Sequence, residues 1–423
     1  MAAGLDFGTT NSSIAIVNQQ GSVQLAQFPF AGNTTESYRS LLYLERLRET
    51  GRLTIKSWSG PNGIERYLAA DDKGRLMQSL KSFLSSRSLL TTEVFGRRFE
   101  LEELVARILR DIREKAERQF GSELRNLVVG RPVRFVGSES RVDDEYAVGR
   151  LRTALSKAGF EQVSFEYEPI AAAYHYESTL DHDELILIGD FGGGTSDFSL
   201  LEVGPSARKG ETRKVIGNEG VPLAGDSFDA KIIRHLVSPA LGAGTELDSG
   251  GKLLPVPNWV YFKLERWHHL SFLRSRETLA MLNSVGRQAL EPAKLEALLY
   301  LVTHDLGYQL HRAVQSAKVT LSHEERAVFH FVDGDVELNE PVTRAEFEDW
   351  IEAELLAIEQ AVSSLLENTA VHARDVDRVF LTGGSSFVPA VRAIFERRFG
   401  GEKIRTGDEF TSVASGLALR ADA

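Results

Sequence analysis

Residues 185–201 read LILIGDFGGGTSDFSLL, an apolar run followed by Asp190, three consecutive glycines and a second apolar run. The two apolar runs predict buried strands joined by a turn. Three adjacent glycines weaken any strand or helix, so the backbone there must gain something from lacking side chains. Close approach of backbone N–H groups to a phosphate is one such gain, and a neighbouring carboxylate suits the accompanying cation. A plain glycine-rich hairpin turn is the alternative.

The same plan occurs a second time near the start of the chain. Residues 4–17 read GLDFGTTNSSIAIV, with Asp6, Phe7 and Gly8 again placed between two apolar runs. This internal similarity predicts two related halves, each of which presents an Asp-bearing hairpin to a shared cleft. Two such hairpins that face each other suit a Mg²⁺–nucleotide held from both sides.

Composition excludes several classes of function. The chain is 42% hydrophobic and 26% charged, and its net charge of −11 argues against nucleic acid as a partner. It contains no cysteine, which excludes disulfides, thiolate catalysis and Cys-ligated zinc. The sequence has neither a signal-peptide pattern nor an uncharged apolar run of about 18 residues, so we expect a cytoplasmic protein with no membrane contact.

Three further patterns predict local structure. Apolar spacing predicts one long helix over residues 294–318. Alternating residues on either side of Asp333-Gly334 predict a hairpin with that pair as its turn. Thr343 and Glu346 form a capping-box pattern that opens a predicted helix of about 25 residues.

Two more segments suit ligand binding at strand ends. Glu168 precedes Pro169, which favours a helix start, and α/β sheets place ligands at such strand ends. An apolar strand also leads into Gly383-Gly384 and then a helix, which predicts a third element that approaches a phosphate or nucleoside. An ordinary strand-to-helix turn is the alternative for the glycine pair.

These motifs together resemble the nucleotide-binding domain of the 70-kDa heat-shock proteins, the DnaK-type chaperones of the actin/sugar-kinase/heat-shock ATPase superfamily. The matching segments, in order, are Asp6–Ser12, Glu168–Ala173, Asp190–Asp197 and Gly383–Ser386. The resemblance covers essentially the whole chain. It implies an α/β, two-lobed actin-like ATPase fold, built from duplicated ribonuclease H-like domains around a deep nucleotide cleft. It also implies lobe I at residues 1–180 and lobe II at residues 181–423, with an upper subdomain at about 225–310.

The resemblance also implies a role for each matching residue. The implied catalytic residues are Lys81, Glu168, Asp190, Thr195 and Asp197. The implied nucleotide-binding residues are Gly8, Thr9, Thr10, Asn11, Gly192, Gly193, Gly194, Gly225, Asp226, Lys318, Ser322, Gly383, Gly384 and Ser385. Asp6 and Asp190 would lie at the metal, and Pro132 matches a proline that relays the nucleotide state. By composition alone, Lys81 is an ordinary solvated lysine.

The implied cofactors are ATP or ADP with Mg²⁺, and K⁺ is a further candidate. The implied partners are the nucleotide and co-chaperone or client proteins. An acidic cluster of Asp6, Glu168, Asp190 and Asp197 is costly to assemble unless a cation neutralises it, which fits these cofactors. The chain has no GxxxxGK[ST] motif, so it is not a P-loop enzyme.

The chain departs from the family pattern in two ways. Gln315 and Val319 stand where the family has a glutamate and a base-stacking arginine, while Lys318 and Ser322 are kept. Loss of a cation–π partner weakens adenine binding by about 1 kcal/mol, so we expect altered base selectivity. The sequence also ends at Ala423, before the peptide-binding domain of the family chaperones. In this respect the chain resembles the short, YegD-like branch of the family, in which the ATPase domain stands alone.

The leading hypothesis is therefore a Mg²⁺-dependent heat-shock-type ATPase domain without a peptide-binding domain. Slow ATP hydrolysis would open and close its two lobes. An actin-like filament-forming ATPase shares both hairpins, but Lys81 and the Ser385-Ser386 pair argue against it. A small-molecule kinase of the same superfamily is the other alternative, although no sugar-binding set is evident.

Overall fold

The computed structural model describes residues 1–30, 32–49, 52–70, 74–177, 180–209, 215–266, 270, 273–406 and 412–422. The chain forms two compact units. The first comprises Met1–Ala224, Ile358–Ser386 and Arg392–Ala423, and the second comprises Gly225–Ala357 and Phe387–Val391. The lobe boundary at residues 180 and 181 and the upper subdomain at about 225–310 stay predictions.

The helices and strands up to Val221 lie in the first unit. In chain order they are β1 (Ala2–Phe7), β2 (Asn11–Val17), β3 (Val23–Leu25), β4 (Phe28–Phe30), β5 (Asn33–Thr35), β6 (Tyr38–Arg39), β7 (Leu41–Glu49), β8 (Arg52–Ser59), α1 (Gly60–Ala69), β9 (Arg75–Gln78), β10 (Thr91–Val94), β11 (Arg97–Glu100), α2 (Leu101–Phe120), β12 (Asn126–Arg131), α3 (Arg141–Ala158), β13 (Gln162–Tyr167), α4 (Glu168–Glu177), β14 (Glu184–Phe191), β15 (Ser196–Val203), α5 (Pro205–Lys209) and β16 (Val215–Val221).

The chain then passes through the second unit and returns to the first. The following elements are α6 (Gly225–Ile232), α7 (Ser238–Ala240), β17 (Glu246–Asp248), β18 (Leu253–Pro255), α8 (Trp259–Leu264), α9 (Arg276–Gln288), α10 (Pro292–Thr303), α11 (Gly307–His323), β19 (Arg326–Asp333), β20 (Val336–Thr343), α12 (Arg344–Trp350) and α13 (Glu352–Thr369). The last are β21 (Arg378–Thr382), α14 (Pro389–Phe399), β22 (Ile404–Thr406) and α15 (Ser412–Asp422).

Two sheets of the first unit share one topology. The first has the order β13-β12-β1-β2-β3, with β6 also paired with β2, and the second has the order β16-β15-β14-β21-β22. In each sheet, one central strand opens an antiparallel run of three strands and is flanked on its other side by two parallel strands. The central strands, β1 and β14, carry Asp6 and Asp190. The repeated sequence plan is therefore matched by a repeated strand order.

Burial explains why the repeated segments form the centres of their sheets. Ile186, Leu187 and Ile188 of β14 are each at most 2% exposed, and Leu5 of β1 is fully buried. Uninterrupted apolar runs of this kind are typical of strands covered on both faces. Each such side chain stabilises the fold by about 1.5–3 kcal/mol relative to full exposure.

The helix α15 packs unusually close to the first sheet and to α4. A Cβ added at Gly4 of β1 would lie 2.2 Å from the backbone nitrogen of Ala418, and one at Gly416 would lie 1.7 Å from the carbonyl oxygen of Ala171. Only glycine allows backbones to approach this closely. Ala15, Ala414 and Ala418 fill the contact with small buried side chains.

The second unit corrects three of the local predictions. The predicted single helix over residues 294–318 is two helices, α10 and α11, because Asp305 takes a left-handed conformation with φ of 53°. The N–H of Leu306 then donates to the carbonyl of Leu301 at 3.1 Å, which is a normal way to close a helix. The hairpin forms, but Asp333 pairs with Val336, so its turn residues are Gly334 and Asp335.

The capping box forms as predicted, but its helix is shorter. The N–H of Glu346 donates to the Thr343 hydroxyl at 3.2 Å, and the N–H of Thr343 donates to the Glu346 carboxylate at 2.8 Å. The helix α12 ends at Trp350, and α13 begins at Glu352. The break falls at the buried Ile351, whose backbone leaves helical geometry with ψ of 9°.

Across the described ranges, none of the helices is both long enough and apolar enough to cross a lipid bilayer.

Candidate functional site

The first hairpin turn joins β1 to β2 and contains Gly8, Thr9 and Thr10. A Cβ at Gly8 would lie 2.1 Å from the carbonyl oxygen of Asn11, so this turn requires glycine. The N–H of Ser40 donates to the carbonyl of Thr10 at 2.9 Å, which fixes the turn from outside. The Thr10 hydroxyl oxygen is buried and has no hydrogen-bond partner among the described residues. A buried hydroxyl in this state is suited to a polar ligand.

The second hairpin turn joins β14 to β15. The N–H of Gly192 donates to the carbonyl of Thr195 at 2.9 Å, which closes the loop that contains the three glycines. The Thr195 hydroxyl donates to a carboxylate oxygen of Asp197 at 3.1 Å. Asp190 pairs across the strands with Asp197, so the base of this turn carries two facing carboxyl groups.

Lys81 and Glu168 form a largely buried ion pair. The Lys81 ammonium donates to Glu168 Oε1 at 2.7 Å, and the two side chains are 7% and 12% exposed. Lys81 lies on a short 3₁₀ turn, Leu80–Phe83, and Glu168 is the first residue of α4 at the end of β13. Room for the Glu168 side chain comes from Gly130, where a Cβ would lie 3.0 Å from Glu168 Cγ.

A third element, β21 with the glycine pair after it, also reaches the second hairpin. The Thr382 hydroxyl donates to Asp190 Oδ1 at 2.7 Å. Gly383 has a φ of 84°, and a Cβ there would lie 2.0 Å from the Phe191 carbonyl oxygen. This position therefore requires glycine for both conformation and space. Sequence reasoning missed Thr382, although its place directly before the glycine pair is the signal that could have found it.

The pKa shifts show that these acidic groups interact. Burial and then the Glu168 carboxylate raise the pKa of Asp6 to about 8, against the opposing charge of Lys81. Burial and then Asp190 and Glu168 raise the pKa of Asp197 to about 8. Burial and Glu168 raise the pKa of Asp190, although the Thr382 hydrogen bond opposes this. The four carboxyl groups thus share one buried region, where each ionised carboxylate disfavours ionisation of the others.

The same region keeps Lys81 protonated. Burial lowers the pKa of the Lys81 ammonium, but Glu168, Asp6 and Asp190 together raise it by more. Its pKa is therefore above the ordinary value, and Lys81 acts as a hydrogen-bond donor rather than as a base.

The protein side chains alone do not enclose a metal. Among the described residues, no three His, Cys, Asp or Glu side chains are close enough together to hold an ion. A cation at Asp6 and Asp190 would therefore need further oxygen ligands from phosphate and water, as Mg²⁺ commonly does.

The remaining residues that the family resemblance assigns to the nucleotide are divided between the two units. Gly383, Gly384 and Ser385 belong to the first unit. The second unit contains Gly225, Asp226, Lys318 and Ser322.

Lys318 connects two elements within the second unit. Its ammonium lies 2.6 Å from Asp229 Oδ1 and donates to the Gly225 carbonyl at 3.3 Å, which ties α11 to the start of α6. The Ser322 hydroxyl donates to the Lys318 carbonyl at 3.0 Å. Val319, which stands in place of the stacking arginine, is 57% exposed.

Two sheets of the same strand order, each with an aspartate-bearing hairpin at its centre, agree with the actin-like ATPase class that the sequence resemblance implies. Within this class, the model of the Hsp70 protein family matches residues 65–249 and 303–423. The chain therefore belongs to the Hsp70 family.

Curated relatives agree with this assignment. The chain is 25% identical to the chaperone protein DnaK of Thermosipho melanesiensis, over 99% of this chain and 58% of that protein. It is also 25% identical to DnaK of Thermosipho africanus, with the same two shares. It is 26% identical to DnaK of Thermus thermophilus, over 99% of this chain and 60% of that protein. The chain thus spans about three fifths of the length of these relatives.

The family match and the structure confirm two of the predictions. The resemblance to the 70-kDa heat-shock proteins is confirmed. The fold is mixed α/β, and membership of the Hsp70 family implies the two-lobed actin-like ATPase fold.

Proposed function

We propose that this chain binds ATP with Mg²⁺ and hydrolyses it slowly. The observation that carries this proposal is the buried Lys81–Glu168 ion pair, 2.7 Å long, beside the carboxyl groups of Asp6, Asp190 and Asp197. A lysine held protonated among several carboxylates suits a site that orients water and stabilises the charge of a transferring phosphoryl group.

The residues present fit both the nucleotide and the cation. The buried, unpartnered Thr10 hydroxyl and the glycines of both hairpin turns suit phosphate oxygens. Asp6 and Asp190 would hold the cation, because carboxyl groups with raised pKa values gain most from a neighbouring positive charge. When bound, Mg²⁺ would neutralise phosphate charge and polarise the phosphoryl group.

The side chains would divide the chemical work. Lys81 donates hydrogen bonds to the attacking water and the terminal phosphate, and Glu168 fixes the direction of the Lys81 ammonium. Asp197 accepts a hydrogen bond from Thr195, and we assign it the proton that leaves the water. Thr382 fixes the carboxylate of Asp190 by its 2.7 Å hydrogen bond. Most of the rate enhancement then comes from positioning and preorganised charge.

The wider biological function is also a proposal. The nucleoside contacts that the family resemblance implies would come from Gly225, Asp226, Lys318, Ser322, Gly383, Gly384 and Ser385. Hydrolysis of ATP would alternate open and closed lobes. Partners would be co-chaperone or client proteins, in a cytoplasmic chaperone-type role. The DnaK relatives are named as chaperone proteins, which supports this proposal.

The test is ATP hydrolysis by the purified chain beside Lys81→Ala and Asp190→Ala. We expect slow, Mg²⁺-dependent turnover that falls about 100-fold or more in both variants. Lys115→Ala is the matched control, because Lys115 also forms a partly buried 2.6 Å ion pair, with Asp111, away from the assigned residues. Equal rates in wild type and both site variants would contradict the site assignment. Absence of nucleotide binding by isothermal titration calorimetry would contradict the proposed function itself.

A further inference from the structure

Arg150 is a buried arginine of α3 whose guanidinium group faces the segment that follows Lys81. The side chain is 5% exposed. The guanidinium donates to four carbonyl oxygens of this segment: Phe83 at 3.3 Å, Leu84 at 3.5 Å, Ser86 at 3.0 Å and Leu89 at 3.2 Å. Its Nε donates to the carboxylate of Glu102 on α2. Residues 83–89 are therefore tied to two helices through one side chain.

The turn that carries Lys81 is short and follows a residue in an unfavourable backbone conformation. It is a 3₁₀ turn of four residues, Leu80–Phe83, and such turns have weaker hydrogen-bond geometry than α-helices. Ser79, which precedes it, has a φ of 58°, a conformation that non-glycine residues rarely adopt. The Ser79 hydroxyl is also buried without a hydrogen-bond partner. An unfavourable backbone conformation persists only where surrounding contacts hold it.

We propose that Arg150 is a positioning residue for Lys81. Through the carbonyls of residues 83–89, it holds the 3₁₀ turn in the place where the Lys81 ammonium meets Glu168. The inference deepens the proposed function, on which it rests for the catalytic role of Lys81. The positioning itself concerns only the buried Lys81–Glu168 contact, and this contact can be measured without nucleotide.

The chemistry of arginine suits this task. Its planar guanidinium presents several donors in a fixed fork, whereas a lysine ammonium at the same position could not span four carbonyls. Glu102 supplies the countercharge: although burial raises the pKa of its carboxyl group, the hydrogen bond and charge of Arg150 lower it by more. The Arg150–Glu102 pair is therefore ionised at neutral pH, which keeps the guanidinium oriented.

Arg152 provides a matched control on the same helix. Its guanidinium also donates to a backbone carbonyl, that of Val163 at 2.7 Å, and lies 4.9 Å from the ring of Phe165. Its described contacts are with β13 and do not include residues 80–89. Arg152 is exposed, so Arg152→Met removes an arginine and one backbone contact from α3 while the described contacts of the Lys81 turn stay in place.

The first measurement separates binding from chemistry. In Arg150→Met we expect single-turnover ATP hydrolysis at saturating nucleotide to fall about tenfold or more, because small misplacements of a catalytic group are costly. The Kd for nucleotide should stay within about twofold of wild type, since the glycine turns lie on other elements. Arg152→Met should change neither value. Equal losses in the two variants would overturn the proposal.

The second measurement does not depend on hydrolysis. Lys81 is 7% exposed, so acetylation by a small reagent, followed by mass spectrometry, should be slow in the folded wild type. We expect acetylation of Lys81 to be about fivefold faster in Arg150→Met and unchanged in Arg152→Met. If wild type lacks ATPase activity but this labelling pattern is found, the positioning holds and the proposed function fails.

A folded Arg150→Met protein with wild-type hydrolysis and wild-type labelling would overturn the positioning. If Arg150→Met does not fold, as judged by circular dichroism, Arg150→Lys carries the same test. This variant keeps the positive charge beside Glu102 but loses the fork, so faster labelling of Lys81 is again expected. Labelling of Arg150→Lys at the wild-type rate would overturn the proposal.

Discussion

The hairpins β1–β2 and β14–β15 occupy the same place in two sheets of identical strand order, yet they carry different chemistry. In the first hairpin, Asp6 faces Ser13 across the strands, whereas in the second Asp190 faces Asp197. The neighbouring parallel strand also differs, because Thr382 of β21 pairs with Asp190 and donates to it.

This difference teaches that a duplicated backbone does not require duplicated side chains. The first turn is tighter: a Cβ at Gly8 would lie 2.1 Å from a backbone oxygen, whereas the nearest atom to one at Gly192 would be 3.3 Å away. The second turn instead gathers negative charge, which is unfavourable unless a cation is present. We infer that the first hairpin mainly contributes a tight backbone turn, and that the second mainly contributes ionisable carboxyl groups.

The largest expected effect comes from exchanging the facing residues of the two hairpins. Ser13 is 1% exposed, so Ser13→Asp buries an additional carboxylate opposite Asp6 and should lower the free energy of unfolding by about 3 kcal/mol or more. Asp197→Ser removes a carboxyl group whose ionised form burial and Asp190 disfavour, which offsets loss of the Thr195 hydrogen bond, so stability should change by less than about 1 kcal/mol, but ATP hydrolysis should fall about 100-fold. Denaturant unfolding measures the stability of the two variants, and an ATPase assay measures their hydrolysis rates. A Ser13→Asp protein as stable as wild type would contradict the inferred difference between the two hairpins.

The glycines that follow the two aspartates should respond unequally to substitution. Gly8→Ala places a methyl group 2.1 Å from the Asn11 carbonyl oxygen and should lower the free energy of unfolding by about 2 kcal/mol. Gly192→Ala meets its nearest atom, the Thr195 carbonyl oxygen, at 3.3 Å and should cost less than about 1 kcal/mol. Thermal unfolding of both variants supplies the measurement. Equal losses would mean that the two turns are equally tight.

The smallest expected effect concerns the two threonine hydroxyls. Thr10→Val removes a buried hydroxyl that has no partner, so unliganded stability should stay the same or rise by up to about 1 kcal/mol. Thr195→Val removes the 3.1 Å hydrogen bond to Asp197 and should cost about 1 kcal/mol. We expect Thr10→Val to weaken nucleotide binding, which calorimetry measures. Strong destabilisation by Thr10→Val would show that its hydroxyl already has a structural function.

Much of the fold could be predicted because its signals are local. The repeated Asp-Phe-Gly segments and their apolar flanks determine β1 and β14 through neighbouring residues alone. The capping box at Thr343 is equally local. The break at Asp305 was missed because the periodicity of apolar residues continues through it, while the left-handed backbone there depends on how α10 closes.

The site was predictable only in part, since its contacts join residues far apart in the chain. Composition gives Lys81 no special function, and only the family resemblance pointed to it. Its ion pair with Glu168 spans 87 positions. Thr382 reaches Asp190 across 192 positions, through a parallel strand pairing that no short motif encodes. Arg150 was missed for the same reason, because its four acceptors are backbone carbonyls and leave no trace in the sequence.

The close packing of α15 has a consequence for biosynthesis. Residues 412–422 pack against β1, the strand that carries Asp6, through a close backbone contact at Gly4, and against α4 through a close contact at Gly416. A ribosome releases β1 long before it releases α15, so the side of β1 that α15 contacts is covered only after α15 has been synthesised. In a nascent chain stalled before residue 412, Ala15 of β2 and Ala171 of α4 would lack the helix that buries them and would be open to chaperones and proteases.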